Sequence, residues 1–437
     1  MIEAPLPARL AEAAGALAHR PIAATEKGFG ARAAAGPVTG ATLAAARPAL
    51  LGGDFLLPLL VLRESAIEHN IAVMAAYCEQ AGVGLAPHGK TTMAPQLFAR
   101  QLRAGAWGIC AATVQQVQVF RAFGVPRVLI ANEVTDRPSL ARLGAELAAD
   151  PDFDCYCFAD SAAAVELAQE TLGPVLAGTG RQLAVLVELG QPGGRAGARS
   201  VGEAEAVARA VVRAPALRLA GAAGYEGSIG HDTEPATLAA MAAFCRDLRR
   251  LGTLLPGLTG RPDYLLSAGG SGFFDVVAAE LTVPDATGYR PEVLLRSGAY
   301  VSHDHGFYQR LTPGGEAGRQ GPELRAAFEL WAPVLSRPEA GLAIIGAGRH
   351  DVAFDQDMPV PLRALTPAGG ERDVTGMHVR ALDDQQGYLV VPASSALAPG
   401  DVMCLGISHP CTTFDKSRVI PLIDDEHRVV DAVHTFF

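Results

Sequence analysis

The sequence has no excess of basic residues and no long apolar run. Its 437 residues carry 36 lysines and arginines against 46 aspartates and glutamates, a formal net charge of −10. This balance provides no electrostatic attraction to nucleic acid or to an anionic membrane surface. Charges or glycines interrupt every Ala-Val-Leu-rich stretch well short of the length of a membrane span. We therefore predict a protein that binds neither nucleic acid nor a membrane.

A secretory signal is also lacking, because the first twenty residues have an acidic start and no continuous apolar stretch. The sequence has seven cysteines, an odd number. Together with the missing secretory signal, this favours reduced thiols in a cytoplasmic protein. Hydrophobic residues make up 49% of the chain and charged residues 19%, which favours a folded protein. The length predicts two or three domains.

Short β-like runs alternate with amphipathic helical stretches from about residue 83 to residue 300. Several runs are continuously apolar, as is typical of parallel strands covered on both faces. Eight strands in strict alternation with helices favour a closed (β/α)8 TIM-type barrel over an open doubly wound sheet. We assign residues 57–310 to this barrel. The eight runs are Gly84–Gly89, Trp107–Thr113, Arg127–Glu133, Asp154–Asp160, Leu183–Leu189, Leu217–Tyr225, Tyr264–Gly269 and Val293–Tyr300.

Two regions lie outside the barrel. Residues 1–56 form an N-terminal extension with a predicted helix at Ala8–Ala18, and we expect it to pack with the C-terminal domain. Residues 311–437 contain short runs that are split by turns and lack long helical connections, which predicts an antiparallel β domain. The run Leu57–Leu62 can pair with this domain instead of the barrel. The C-terminal runs are Gly341–Ile345, His350–Phe354, Gly376–Leu382, Tyr388–Val391, Asp401–Leu405 and Arg418–Leu422.

The most informative segment is Leu85–Pro95, in which a strand runs into Pro-His-Gly-Lys and a helix begins near Ala94. Lys90 is thereby placed at the C-terminal end of the first barrel strand, on the face where barrels build active sites. Apolar neighbours would partly desolvate its amine, and a desolvated amine stays nucleophilic towards an aldehyde. The alternative is an ordinary surface lysine at a strand end.

A glycine-rich loop follows the seventh run, with Ser267, Gly269, Gly270 and Ser271 in the sequence Ser-Ala-Gly-Gly-Ser-Gly. Consecutive glycines allow several backbone N–H groups to converge on one anion. Barrels commonly bind phosphate in the loops after the last strands. The loop is therefore a candidate phosphate site, although a flexible turn would show the same composition.

Three further side chains lie at predicted strand ends. Arg195 follows the fifth run and can hold an anionic oxygen or tune a pyridine ring, or it can be a solvated loop residue. Tyr225 can contact a ring, and the hydroxyl of Tyr300 can bind phosphate. Each tyrosine alone is equally consistent with packing in the core.

The C-terminal domain contains a candidate metal pair, His409 and Cys411. In an extended segment, positions i and i+2 point to one side, so both side chains can bind one ion. Imidazole with thiolate favours Zn²⁺. Two ligands are too few for a structural zinc site, but water and substrate can complete a catalytic one. A competing candidate is Ser302–His305, which contains two histidines and an aspartate and is equally consistent with a hydrogen-bonded loop.

Taken in order, these motifs resemble the D-serine dehydratase/D-threonine aldolase family, distant relatives of alanine racemase. The resemblance rests on the Pro-His-Gly-Lys-Thr segment, the glycine-rich loop, Arg296-Ser-Gly-Ala-Tyr300 and His409-Pro-Cys411, and it extends from about Leu57 to the C-terminus. It implies fold type III of the pyridoxal 5′-phosphate enzymes. It also implies a homodimer with each active site between one subunit's barrel and the partner's β domain.

The resemblance implies roles for individual residues. Lys90 corresponds to the Schiff-base lysine, with His88 beside it as a second catalytic residue. Gly269, Gly270, Ser271 and Tyr300 correspond to phosphate contacts. His409 and Cys411 correspond to the metal pair, and the cysteine resembles zinc-dependent D-serine dehydratases, whereas D-threonine aldolases tend to have an aspartate there.

Two segments depart from the family pattern. In the first, Ala86 stands where relatives have arginine and Thr92-Met93 where they have His-Lys. In the second, Asp384–Gly387 lacks the histidine of a related Glu-Glu-His-Gly segment. Both departures put the substrate in question more than the cofactor. The predicted function is a dehydratase that converts D-serine, D-threonine or D-threo-3-hydroxyaspartate into a 2-keto acid and ammonia. The alternatives are a retro-aldol enzyme releasing glycine and an aldehyde, an amino-acid racemase, and a non-catalytic pyridoxal phosphate carrier.

Overall fold

The computed structural model describes residues 7–284, 288 and 291–437. In that part of the chain, no helix combines the length and the apolar character needed to cross a bilayer. The strands are β1 (Leu59–Arg63), β2 (Gly84–Leu85), β3 (Ile109–Ala111), β4 (Arg127–Glu133), β5 (Asp154–Ala159), β6 (Leu183–Leu189), β7 (Leu217–Gly224), β8 (Leu265–Ala268), β9 (Glu292–Leu295), β10 (Phe328–Glu339), β11 (Leu342–Ile345), β12 (Val360–Leu365), β13 (Glu371–Arg372), β14 (His378–Leu382), β15 (Gly387–Val390), β16 (Val402–Gly406), β17 (Val419–Ile423) and β18 (Val429–His434).

The helices are α1 (Ala8–Leu17), α2 (Gly30–Ala34), α3 (Gly40–Ala46), α4 (Glu64–Ala81), α5 (Pro95–Arg103), α6 (Val114–Ala122), α7 (Arg137–Ala149), α8 (Ala162–Leu176), α9 (Val201–Val212), α10 (Pro235–Thr259), α11 (Phe274–Leu281), α12 (Phe307–Leu311) and α13 (Cys411–Phe414). Four barrel helices begin at a capping side chain that accepts a backbone N–H: Thr113, Asp136, Ser161 and Ser200. These caps satisfy free donors of the first turn and define where each strand-to-helix connection ends.

Eight parallel strands, β2 to β9, form one sheet in the order β2-β9-β8-β7-β6-β5-β4-β3. A parallel bridge between His88 and Cys110 joins the two ends, with the Cys110 N–H donating to the Pro87 carbonyl at 2.9 Å. The predicted TIM-like barrel is thereby confirmed. Strand β6 is buried along its whole length and has the predicted bounds, Leu183–Leu189.

The antiparallel domain is also confirmed, and its central strand was not predicted. Strand β10 pairs with β1, β11 and β16. It contains Pro333 and Pro338, and proline within a run argues against a strand because it cannot donate to the ladder. The strands β12 and β18 were likewise not predicted.

The expected strand His350–Phe354 is wrong, because this segment is a turn. The Asp351 N–H donates to the Gly348 carbonyl, and the Asp351 carboxylate accepts the Gly348 N–H at 3.1 Å. The Ala353 N–H donates to the Thr413 hydroxyl at 3.4 Å. These backbone groups therefore form hydrogen bonds within the turn or with Thr413, and not with a neighbouring strand.

Strand β1 belongs to the antiparallel sheet, because it pairs antiparallel with β10 and parallel with β17. This agrees with the alternative that Leu57–Leu62 pairs with the antiparallel domain. The strand therefore does not belong to the barrel, although we had assigned residues 57–310 to it. The N-terminal extension covers the same sheet. Phe29, Leu43 and Leu50 pack there in one apolar cluster with Trp331, and the extension adds a backbone bridge between Ala49 and Arg428.

Candidate active site

A cavity of about 670 Å³ opens at the C-terminal ends of the barrel strands. Loops after β2, β3, β6, β7, β8 and β9 line it, together with the segment that begins at His409. Most of the predicted site residues meet here: His88, Lys90, Arg195, Tyr225, Gly270, Ser271, His409 and Cys411. Ser267, Gly269 and Tyr300 are not among the lining residues.

Lys90 lies in a short 3₁₀ turn, Gly89–Thr91, that follows β2. Glycine is required at position 89 because a Cβ there would approach Phe120 and Ile109 to within 2.7 Å. The side chain of Lys90 is exposed where it faces the cavity, so the expected desolvation by apolar neighbours is not seen. The amine is open to a ligand that enters this space.

The chain has only three lysines, Lys27, Lys90 and Lys416. Lys27 pairs with Asp351 at 3.2 Å and Lys416 with Asp415 at 3.4 Å. Lys90 has no ion pair within the described residues and is the one lysine that lines the cavity. Any chemistry that needs a primary side-chain amine in this cavity therefore falls to Lys90.

The half-buried imidazole of His88 lies beside Lys90, and its buried Nδ1 has no hydrogen-bond partner in the described part of the chain. Burial lowers the pKa of His88 well below its ordinary value, and the positive charges of Lys90, Arg296 and Arg195 lower it further. His88 is thus a neutral imidazole beside Lys90, and the residue lines the cavity.

The glycine-rich loop is organised differently from the predicted anion site. The N–H groups of Gly269 and Gly270 donate to the carboxylate of Glu226, at 2.9 and 2.8 Å. Because Glu226 already accepts both N–H groups, this corrects the assignment of these two donors to a phosphate. Ser267 is fully buried, donates to the Leu294 carbonyl at 3.0 Å and accepts from Arg296, so its hydroxyl also holds the loop instead of facing the cavity.

Other backbone donors remain for an anion at the same place. Within the described residues, the N–H groups of Ser271, Gly272 and Gly298 donate to no group, and all three residues line the cavity. The Ser271 hydroxyl accepts the Ala299 N–H at 3.1 Å and so ties the loops after β8 and β9 together. A phosphate fits these free N–H groups. Two of them directly follow the predicted glycines, and the third, that of Gly298, is in the loop after β9.

Tyr300 does not reach the cavity, which corrects its predicted phosphate contact. Its side chain is 1% exposed, and its hydroxyl accepts a hydrogen bond from Gln101 at 3.0 Å. Tyr300 instead lines a separate cavity of about 810 Å³ beside α4 and α5. The motif Arg-Ser-Gly-Ala-Tyr reaches the site through its backbone and through Arg296.

Arg296 was overlooked as an individual site residue. Its buried guanidinium donates to the Ser267 hydroxyl at 2.8 Å and to the Gly224 carbonyl at 2.6 Å, and it lines the cavity. Arg195 reaches the same space from the loop after β6 and lies 4.8 Å from the ring centre of Tyr225. Both cations are available to an anionic ligand; the sequence signal for Arg296 was its place directly after β9.

A pair of carboxyl groups, Glu133 and Glu188, lies at the ends of β4 and β6. Each has a buried oxygen without a partner in the described residues, and Glu188 lines the cavity. Burial first, then the adjacent carboxyl group of Glu188 and the charge of Asp160, raise the pKa of Glu133 to about 8. The Glu133 carboxyl therefore holds its proton at neutral pH.

The predicted metal pair lies in the segment of the C-terminal domain that faces the barrel cavity. His409 and Cys411 both line the cavity, and the Cys411 thiol is partly exposed. Burial alone would lower the pKa of His409, but Cys411 and Asp355 together raise it to about 9. The pair belongs to the same chain as the barrel, so the site does not depend on a partner's β domain for these two groups.

No group of three or more histidine, cysteine, aspartate or glutamate side chains that could hold a metal is found in residues 7–284, 288 and 291–437. An imidazole and a thiolate facing one cavity nevertheless fit an open zinc site, in which water and substrate supply the other ligands. A structural zinc site, which needs four protein ligands, does not fit these two residues.

The competing segment Ser302–His305 is a hydrogen-bonded loop. The Asp304 carboxylate accepts the N–H groups of Gly306, Tyr308 and Gln309, and that of His409 at 3.1 Å. His303 shares a hydrogen bond with Gln309 at 3.0 Å. Because the Asp304 carboxylate accepts backbone N–H groups, this segment holds the main chain at His409 in place and does not itself form a metal site.

Comparison with known proteins agrees with this geometry. Residues 62–272 match the alanine racemase N-terminal domain, and residues 327–423 match the putative serine dehydratase domain. The chain is 28% identical to a D-threonine aldolase from Arthrobacter sp. over 376 residues, which cover 84% of this chain and 89% of the relative. The chain therefore carries both of these domains, and its homologues include D-threonine aldolase and 3-hydroxy-D-aspartate aldolase. These homologues are pyridoxal phosphate-dependent lyases.

Two solved structures share the fold. The D-threonine aldolase from Filomicrobium marinum superposes with a TM-score of 0.73 at 27% identity, covering 87% of this chain and 95% of the other. The D-threo-3-hydroxyaspartate dehydratase from Delftia sp. gives a TM-score of 0.69 at 22% identity, covering 89% and 99%. The second likeness concerns the fold alone. Both an aldolase and a dehydratase therefore use this architecture.

Proposed function

We propose that the protein is a pyridoxal phosphate-dependent, zinc-dependent dehydratase of a small D-3-hydroxy amino acid, giving a 2-keto acid and ammonia. The observation that carries the proposal is the shared cavity. The one lysine at the barrel mouth and the imidazole–thiol pair of the C-terminal domain line the same space. In the proposed reaction the amine serves the aldehyde chemistry at Cα, and the ligand pair serves a metal that acts at Cβ of the same substrate.

The cavity fits pyridoxal phosphate by the chemistry of its lining. Lys90 supplies the amine, the free N–H groups of Ser271, Gly272 and Gly298 suit a phosphate, and Tyr225 offers an aromatic face. When bound, pyridoxal phosphate supplies an aldehyde for the substrate amine and a conjugated ring that accepts electron density from a bond at Cα. The cations Arg195 and Arg296 are placed to hold its oxygens or the substrate carboxylate.

Two groups of the chain are placed to move a proton. The amine of Lys90, once released from the cofactor, can take the α-proton of the substrate. His88 lies beside it as a neutral imidazole with a free Nδ1, and it can relay that proton or stabilise the lysine in its neutral form. Burial, together with the charges of Lys90, Arg296 and Arg195, keeps the imidazole neutral, so it accepts protons only transiently.

His409 and Cys411 would hold the metal. Zinc supplies a Lewis acid for the β-hydroxyl group, which is a poor leaving group by itself. The chain's part is to present one imidazole and one thiolate and to leave the remaining positions open to water and substrate. The cysteine is the reason to prefer zinc and dehydration over the aldolase reaction.

Retro-aldol cleavage to glycine and an aldehyde is the second candidate. It is favoured by the D-threonine aldolases, which are similar in sequence at 27–28% identity, and it needs the same lysine and metal. The reactions differ in whether the β-hydroxyl leaves or is deprotonated.

A product assay separates these functions. The purified enzyme is given D-serine, D-threonine and D-threo-3-hydroxyaspartate, with and without prior removal of metal by a chelator. Keto acid with ammonia supports dehydration, and loss of this product after chelation with recovery on Zn²⁺ supports the metal. Glycine with an aldehyde would overturn the dehydratase in favour of the aldolase. The L-amino acid alone would indicate a racemase, and no turnover of any substrate would favour a carrier.

The homodimer remains part of the proposal, since it follows from the family resemblance. Light scattering of the purified protein tests it, and a mass near 45.4 kDa, that of one chain, would contradict it.

A further inference from the structure

We propose that Asp355 positions His409 for metal binding by holding its Nδ1, so that Nε2 is the atom that binds the ion. The inference rests on the metal part of the proposed function and adds a residue that touches neither substrate nor cofactor. Asp355 lies in the irregular segment between β11 and β12, 54 residues from His409 in the sequence.

The contact is specific on both sides. One Asp355 oxygen, Oδ2, lies 2.5 Å from His409 Nδ1. The other, Oδ1, accepts a hydrogen bond from the Thr412 hydroxyl at 2.7 Å. Thr412 in turn lies 3.1 Å from the same Nδ1. With one oxygen on Thr412 and the other on His409, the carboxylate has a single orientation that presents Oδ2 to the ring.

A hydrogen bond at Nδ1 decides what Nε2 can do. When the carboxylate accepts the Nδ1 proton, the neutral imidazole has its lone pair on Nε2, and the ring cannot turn without breaking the bond. A carboxylate partner also makes the imidazole a stronger ligand. This matters more here than in a site with several protein ligands, because only His409 and Cys411 are available to hold the ion.

The backbone of His409 shows the same kind of constraint. Its φ is +89°, in the region that favours glycine, and its N–H donates to the buried carboxylate of Asp304 at 3.1 Å. One aspartate therefore holds the main chain of His409 and another holds its ring. A residue kept in a strained conformation by two separate carboxylates is oriented for a purpose other than packing.

The test measures zinc affinity directly, on the full-length protein with its pyridoxal phosphate bound, by competition with a chromophoric chelator. The variants are Asp355→Ala, Asp355→Asn and Thr412→Val. Asp415→Asn is the matched control, because it removes a nearby carboxylate that does not contact His409. His409→Ala shows the affinity without the imidazole. The visible absorbance of bound pyridoxal phosphate and the melting temperature of the metal-free protein are recorded for each.

We expect Asp355→Ala to weaken zinc binding by about 10- to 100-fold, as the loss of such partners typically does. Asp355→Asn, which can still accept from Nδ1, should lose less, and Asp415→Asn should match the wild type. The cofactor absorbance should be unchanged in all of them. Equal zinc affinity in Asp355→Ala and the wild type would overturn the inference, as would a loss that merely follows a lowered melting temperature.

The experiment distinguishes a failure of the proposed metal pair from a failure of the proposed role of Asp355. If His409→Ala binds zinc as tightly as the wild type, the metal pair itself is wrong and this part of the proposed function fails with it. If His409→Ala loses zinc and Asp355→Ala does not, only the role of Asp355 is wrong.

Discussion

The hydroxyl of Thr91 lies 3.3 Å from Sγ of Cys411, although the two residues are 320 positions apart in the sequence. Thr91 is the neighbour of Lys90 in the turn after β2, and Cys411 begins α13 in the C-terminal domain. This contact joins the two halves of the proposed site within one chain. The turn that carries Lys90 is therefore tied directly to one member of the metal pair.

Replacing Thr91 by valine should weaken zinc binding without changing the shape of the turn. A hydrogen bond of this kind contributes about 0.5–1.5 kcal/mol, so we expect the dissociation constant for Zn²⁺ to rise by about 2- to 10-fold. Thr92→Val is the matched control, since the Thr92 hydroxyl accepts a backbone N–H from Ala94 and does not contact Cys411. Equal zinc affinity in the two variants would show that the Thr91 hydroxyl has no influence on the ligand.

Tyr300→Phe should leave pyridoxal phosphate binding unchanged and lower the stability of the fold. The substitution removes the acceptor of the buried Gln101 amide, which costs about 1–3 kcal/mol when the donor is left unpaired. Denaturant unfolding and titration with pyridoxal phosphate measure the two effects. A several-fold loss of cofactor affinity in a variant of normal stability would restore the phosphate contact.

The pair Glu133–Glu188 predicts a pH dependence of stability. The pKa of Glu133 is raised in the folded protein, from an ordinary value of 4.5 to about 8. Its contribution to stability is therefore complete below about pH 4.5 and is lost as the pH rises through 8. Glu133→Gln, which keeps a donor towards Glu188 at every pH, should be less sensitive than the wild type to a rise from pH 5 to pH 8.

Unfolding free energies at several pH values test this expectation, with the exposed Glu12→Gln as the control for a surface carboxylate. The control should follow the wild type across the range. If Glu133→Gln also runs parallel to the wild type, the pKa of Glu133 is not raised in the folded protein.

The strand pattern and the place of Lys90 were predictable because they depend on local sequence. The short apolar run Leu183–Leu189 is typical of a buried strand, and the alternation of such runs with amphipathic stretches indicates the barrel. Strand β10 was missed because its two prolines are tolerated only through its particular pairing with β11 and β16. That pairing is not encoded in the run itself.

The corrections at the site have a common physical cause, a partner that is distant in the sequence. Glu226 accepts the N–H groups of Gly269 and Gly270 from 43 and 44 residues away, and Gln101 binds the Tyr300 hydroxyl from 199 residues away. Asp355 is likewise invisible in the segment around His409. A motif shows which residue types are present, but the direction of each side chain depends on such partners.

The most direct test of the central claim is to reduce the purified protein with sodium borohydride and to identify the modified residue by peptide mass spectrometry. Borohydride fixes pyridoxal phosphate covalently to the lysine that holds it, and the chain offers only three lysines. We predict the adduct on Lys90 and its loss in Lys90→Ala, while Lys416→Ala keeps it. An adduct on Lys27 or Lys416, or no adduct in protein saturated with the cofactor, would contradict the account.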